Sequence, residues 1–329
     1  MDVRVQQLDP ATLPATVGRV LQQLRERSRD HGPPDAIVHR VVHGGDRFVQ
    51  PTRIDESVLA ELNQLSHLAP LHNPPALAAI RRAREIYPQR VHVAVFDTAF
   101  HATLPPRARE YALPRDLSQR FGIRRYGFHG ISHSHVMNAV AAELKAPAEK
   151  LRIVSCHLGN GASIAAIEYG RSVDTSMGMT PLEGLVMGTR AGDLDPGILL
   201  DLMQSGSYDS KELDALLNRQ SGLTGLTGTN DMREIERRAG AGDEECRRAL
   251  ALYAYRVRKY IGAYAAAMGG VDVIAFTGGV GENSAAIRQA CMEQLEFLGA
   301  RIVVVRADEE LAMALQAATL LATNSTASS

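Results

Sequence analysis

Long apolar runs are missing from this 329-residue chain. None approaches the roughly 20 residues that a membrane-spanning helix needs, so a membrane partner has no support. Cysteine is scarce: Cys156, Cys246 and Cys291 are widely spaced, and no CxxC pair occurs. That count argues against a disulfide framework and fits a reducing cytoplasm. An excess of either charge is also lacking, since 36 Lys plus Arg face 37 Asp plus Glu, for a formal net charge of -1. Nucleic acid and anionic membrane are therefore not favoured as partners. The first ten residues, MDVRVQQLDP, lack the basic run and apolar stretch of a secretory signal, and the expectation is a cytoplasmic protein.

What is present is an ordinary globular composition with 45% apolar residues. The length exceeds what one hydrophobic core usually organises, so two domains are expected. Helices are predicted over 14–29, 58–68 and 75–86, the last opening with a proline pair that suits a first helical turn. Apolar runs at 36–42 and 91–96 read as buried strands. After a polar stretch at 107–125, a helix over 133–144 and a strand over 151–157 lead into a Gly159-Asn160-Gly161 turn and a returning strand over 162–168. Helices over 198–203, 210–217 and 244–268 follow. A strand over 271–276 then enters a Gly-rich turn and a helix from Ser284. A strand over 301–305 and a helix over 309–321 close the pattern, and the tail TNSTASS is expected to fray. Strands alternating with helices give an α/β protein.

Five clusters place charged or imidazole groups where an apolar strand gives way to small residues: HRVVHGG (39–45), LHNPP (71–75), FDTAFH (96–101), YGFHGISH (126–133) and the stretch 174–197. Ligands of open α/β sheets bind beyond the carboxyl ends of strands, so such ends are where to look. Singly, each cluster has a plain structural explanation. An arginine at a strand end is usually solvated or ion-paired, and a lone histidine such as His72 or His101 is usually a hydrogen-bonded structural residue. HLGNGAS (157–163) reads equally as a tight hairpin. TGGVGEN (277–283) is a common kind of glycine turn, and Glu309 suits the start of any helix. The groups His39/His43 and His129/His133/His135 also raise a zinc reading, weakened by the absence of HExxH.

In this order, from about residue 36 to 315, the clusters resemble the acetate kinase family, within the superfamily of actin, sugar kinases and heat-shock ATPases. The resemblance implies two ribonuclease-H-like domains around a cleft: residues 1–100 with 309–329, and residues 101–308, the second carrying nucleotide binding and dimerisation. It implies phosphoryl transfer from ATP to acetate with Mg²⁺ (or Mn²⁺), in a homodimer. Arg40 and Arg190 match the family's active-site arginines, Asp97 its catalytic aspartate and His129 the transition-state histidine. His72 and His157 match others on the phosphate path, and Glu309 matches the metal ligand. Val42, Leu71, Phe128 and Pro181 match the pocket for the acetate methyl group. His157, Leu158, Gly159, Asn160 and Gly161, then Asp231, Met232 and Arg233, then Gly279, Val280, Gly281 and Asn283 match the nucleotide loops.

The family begins with a strand and an Asn-x-Gly-Ser-Ser-Ser-x-Lys phosphate loop, a motif not found in this sequence. A first domain shortened at its N-terminus and impaired catalysis are therefore expected, whether through an internal start or a real loss. A second shortening lies between Gly299 and Glu309. The alternatives are an inactive nucleotide-binding remnant of the family and a propionate kinase.

Overall fold

The computed structural model describes residues 34–70 and 72–326, with Thr16, Gly18, Arg19, Val20, Gln22, Gln23, Glu26 and Gly32. The helix expected over 14–29 lies mostly outside the described residues. Packing divides the chain into two units, Met1–Ala99 with Glu309–Ser329, and Phe100–Asp308. Their mixture of strands and helices is the α/β class expected.

In the first unit, strands β1 (Ala36–Val41), β2 (Thr52–Arg53) and β3 (Val91–Phe96) form a sheet in the order β1-β3-β2. β1 and β3 are parallel, with Arg40 opposite Val95 and Val41 opposite Phe96. Parallel neighbours need a long crossover, and helices Glu56–Gln64 and Asn73–Ile86 supply it. Asp55 caps the first, accepting a 2.8 Å hydrogen bond from Val58 N. Leu59, Leu62, Leu77 and Ile80 from these helices meet Val41, Ala94 and Phe96 in one core. Helix Glu309–Thr326 packs on β1 and β3. β1 is less buried than its composition suggests: Ala36 to His39 are half-buried and only Val41 is fully enclosed. Among the described residues β1 pairs with β3 alone, so one edge lacks a covering strand.

The second unit holds β4 (Arg152–Leu158), β5 (Ala162–Glu168), β6 (Arg171–Thr175), β7 (Val273–Thr277) and β8 (Arg301–Val304). They form one sheet ordered β6-β5-β4-β7-β8. β4, β7 and β8 run parallel, whereas β5 and β6 return antiparallel. Helix Gly130–Leu144 lays Val136 and Val140 on Ile153, Ala165, Ile167, Val273 and Ala275. The alternating residues Val154, Cys156, Ile164, Ala166, Ile274 and Phe276 face the other way and are equally buried. Helix Glu244–Ala267 packs on β4 and β5.

Five elements depart from expectation. The glycine-rich stretch after β7 is a short helix, Gly278–Asn283, and Ser284 caps the next helix, Ala285–Met292, by accepting from Ile287 N at 3.0 Å. β6 and the helices Arg115–Phe121 and Met232–Gly240 lie in stretches too short or too polar to show a clear period. The closing helix runs to Thr326, past the expected end at 321, because no glycine or proline interrupts it.

Candidate active site

The parallel pairing of β1 and β3 brings their carboxyl ends out side by side, and with them Arg40 and Asp97. Arg40 Nε donates to both Asp97 oxygens, at 3.2 and 3.1 Å, and its Nη2 donates to Oδ2 at 2.6 Å. Glu309, first residue of the closing helix, sets Oε2 3.4 Å from Arg40 Nη1. Asp97 is 1% exposed, while the Arg40 side chain keeps 41% of its surface. Burial opposes the Arg40 charge, but the charge and hydrogen bonds of Asp97, with Glu309 and Glu310, outweigh it and raise its pKa. Arg40 is thus a permanent cation whose orientation Asp97 sets. Burial raises the Asp97 carboxyl, with Arg40 pulling the other way.

His72 stands at the N-cap position of Asn73–Ile86, where its side chain makes no capping hydrogen bond, and is half-buried. Val42 is half-buried just past β1, and Leu71 lies outside the described residues. His39 is committed to His92, its Nε2 2.9 Å from His92 Nδ1 and the rings stacked. Burial, then the neighbouring His92, lowers its pKa to about 4. Among the described residues no group of three His, Cys, Asp or Glu side chains is arranged to hold a metal ion.

In the second unit, the turn between β4 and β5 carries Gly159, Asn160 and Gly161. A Cβ placed on Gly161 would lie 3.4 Å from His129 Nε2 and 3.8 Å from Arg190 Nη1, so both side chains converge on this turn. His129 begins helix Gly130–Leu144 in the left-handed region, at φ 57°. For a residue with a side chain that conformation is strained, commonly at functional positions. Its ring stacks on His157 at 4.5 Å, and His157 Nδ1 is 2.8 Å from Ser132 Oγ.

Arg190 is half-buried; its Nη1 donates to Pro181 O at 3.0 Å and approaches Met187 Sδ at 3.6 Å. Burial lowers its pKa, and it has no ion pair among the described residues. A charge taken partly out of water without a counter-ion is costly, so this guanidinium is suited to an incoming anion.

Asn160 fixes the turn. Its carbonyl accepts from Gly188 N at 2.8 Å, and its Oδ1 accepts from Asn230 Nδ2 at 2.9 Å. A Cβ on Gly188 would sit 1.9 Å from that Oδ1, so only glycine leaves it room. Nearby in sequence, Asp231 caps Met232–Gly240 and pairs with exposed Arg233 at 2.9 Å, while Met232 is buried. Gly279, Val280, Gly281 and Asn283 all lie in Gly278–Asn283, where Asn283 Nδ2 donates to Gly279 O at 2.8 Å. Leu158 and Phe128 are buried, and Pro181 is half-buried.

Sequence reasoning missed Ser132, Ser155 and Ser163, whose hydroxyls touch His157, His133 and His129. It also missed Gly188 and Asn230. The hints were their places inside singled-out clusters: Ser132 in YGFHGISH, Ser163 closing HLGNGAS and Gly188 in the stretch 174–197.

Solved structures match this architecture closely. An acetate kinase from Porphyromonas gingivalis aligns with a TM-score of 0.87 and 40% identity, covering 92% of this chain and 84% of that one. A propionate kinase from Francisella tularensis gives 0.86 and 38%, with coverage of 91% and 83%. An acetate kinase of Clavibacter sepedonicus is 56% identical over 272 residues, which are 83% of this chain and 69% of that protein. The fold and these relatives together define an ATP-dependent phosphotransferase. The chain belongs to the acetokinase family, which matches residues 4–327.

Proposed function

We propose that the chain transfers the γ-phosphoryl group of ATP to acetate, reversibly, giving acetyl phosphate and ADP. The observation that carries this reading is Arg190, half-buried without a carboxylate partner among the described residues and converging with His129 on the glycine turn. Phosphoryl transfer passes through a loose transition state with charge on the equatorial oxygens, so positioning and charge stabilisation supply most of the catalysis. Acetate is ionised at neutral pH, and no general base is required to make the nucleophile.

Asp97 holds Nε and Nη2 of Arg40 and Glu309 stands beside Nη1, so the plane of the guanidinium is fixed for the acceptor carboxylate. His129 and Arg190 serve the transferring phosphoryl group. His72 and His157 are assigned to its path, and Val42, Leu71, Phe128 and Pro181 to recognition of the acetate methyl group. The backbone of 157–161 approaches the phosphates; residues 231–233 and 279–283 hold the nucleoside.

The donors near Arg40 fit a magnesium ion. Asp97 and Glu309 are hard carboxylates gathered on one guanidinium, and Mg²⁺ is held by one or two such groups with water and phosphate oxygens. Glu309 would be its ligand and Asp97 would help place it; the ion would neutralise polyphosphate charge. Acetate is preferred to propionate, although one methylene discriminates by only about 1–3 kcal/mol. The three cysteines are buried free thiols, which suits a reducing cytoplasm. Among the described residues no helix is long and apolar enough to cross a membrane. A homodimer through the second unit is proposed, with exposed Leu252 and Tyr255 of Glu244–Ala267 as apolar contacts; sedimentation reads it directly.

The test is acetyl phosphate formation from acetate and MgATP, with ATP binding followed by calorimetry. The chain is expected to turn over above background, and Arg190→Ala to lose about 100-fold or more in kcat while still binding ATP. Full activity in R190A would overturn the assignment. ATP binding without turnover, in a folded sample, would favour a nucleotide-binding protein instead.

A further inference from the structure

His133 lies one helical turn beyond His129 and is completely buried, yet it takes no part in the chemistry described above. Its Nδ1 is 2.8 Å from Ser155 Oγ and its Nε2 is 2.9 Å from Ser163 Oγ. The same Ser163 oxygen lies 2.9 Å from His129 Nδ1. Ser155 on β4 and Ser163 on β5 are both fully enclosed. Burial, then the neighbouring His101 and His157, lowers the His133 pKa well below the ordinary value, so its ring is neutral and carries one N–H.

A hydroxyl has one proton to donate, and Ser163 touches two imidazole nitrogens. Two proton orders satisfy every contact. With the His133 proton on Nε2, Ser163 accepts it and donates to His129 Nδ1. His129 then keeps its own proton on Nε2, the atom on the Gly161 side. With the His133 proton on Nδ1, Ser163 donates to His133 and accepts from His129 Nδ1–H. A neutral His129 would then turn a bare Nε2 lone pair towards the glycine turn. Only the first order offers a donor to phosphoryl oxygens without adding a positive charge.

We propose that Ser163 and His133 are positioning residues for His129, and that the single Ser163 proton couples the tautomers of the two rings so that His129 presents Nε2–H. The proposal rests on the reading of His129 as the imidazole that meets the transferring phosphoryl group. It gives the buried serines of β4 and β5 a purpose that packing alone does not require.

Nitrogen-15 spectra of the histidine-labelled full chain with ATP test it. Both His129 and His133 are expected to show a protonated Nε2 and an unprotonated Nδ1. Ser163→Ala should give His129 averaged tautomer shifts and lower kcat about tenfold, about 1.4 kcal/mol, with the KM for ATP within about twofold. Ser163→Thr, which keeps the hydroxyl, should restore both. Opposed tautomers in the two wild-type rings would overturn the coupling, and so would S163A with unchanged His129 shifts. If S163A does not fold, the wild-type and S163T spectra decide. His129→Ala separates the two ideas: full turnover in that variant removes the phosphoryl role of His129, while the wild-type spectra still judge the coupling.

Discussion

Adding one methyl group at Gly188 probes the Gly159-Asn160-Gly161 turn, proposed above to approach the phosphates, without touching a charged residue. The Cβ of Gly188→Ala would stand 1.9 Å from Asn160 Oδ1 and 3.2 Å from Asn160 O. The Gly188 backbone is not among those with positive φ, so alanine meets no conformational barrier there. The first contact is with the end of an exposed side chain, which can swing away. Its departure breaks the 2.9 Å bond from Asn230, a net loss of about 0.5–1.5 kcal/mol. The backbone contact is only tight, so the bond from Gly188 N to Asn160 O should survive. The fold therefore persists, and what is lost is the fixed geometry of the turn. About 1 kcal/mol of lost preorganisation corresponds to a roughly fivefold to tenfold rise in the KM for ATP.

The assay is initial-rate kinetics with varied ATP, beside thermal unfolding. Asn160→Ala should show a similar KM effect. The double variant should be no worse than N160A alone, because both act through one contact. An unchanged KM for ATP in folded G188A would refute the reasoning, as would fully additive effects in the double variant.

Three further outcomes are expected. Asp97→Asn should cost about 1–3 kcal/mol of stability in chemical denaturation, because it replaces a charge-assisted acceptor with one donor and one acceptor. It should lower kcat/KM for acetate about 100-fold, and unchanged acetate kinetics would remove Asp97 as the group orienting Arg40. Glu309→Gln should raise the Mg²⁺ needed for half-maximal rate at least about tenfold, with metal titration as the check. Stability should also fall in mild acid. His101 is buried between Ser172 Oγ and Phe128 O, and burial holds its pKa at about 4 against an ordinary 6.5. Below 6.5 the unfolded chain takes up a proton that the folded chain refuses, so stability declines as pH falls from about 6.5 towards 4, by about 3 kcal/mol. Urea midpoints that do not move between neutral pH and about pH 5 would contradict this.

Most strands and the long helices could be read from the chain because their apolar residues repeat with a clear period. Leu151 to Glu168 announces a hairpin through short apolar runs on both sides of an Asn-Gly turn. β6, with the sequence RSVDT, announces nothing, since its place is set by pairing with β5 across a register shift. The helix Gly278–Asn283 was equally hidden, because glycines read as a turn until the surrounding sheet holds them in one.

Residue identity and order alone determined the chemistry on offer: arginines, an aspartate, a glutamate and histidines at strand ends, in the sequence of clusters shared with the acetokinase family. Tertiary structure decided how those groups are held. That Asp97 grips Arg40, that Gly188 makes room for Asn160, and that one serine hydroxyl joins His129 to His133 are meetings of residues 57, 28 and 34 or 30 positions apart. No local pattern encodes such contacts. A hydrogen bond acts over about 3 Å, and only the tertiary packing of strands, helix and loops brings distant positions within that reach.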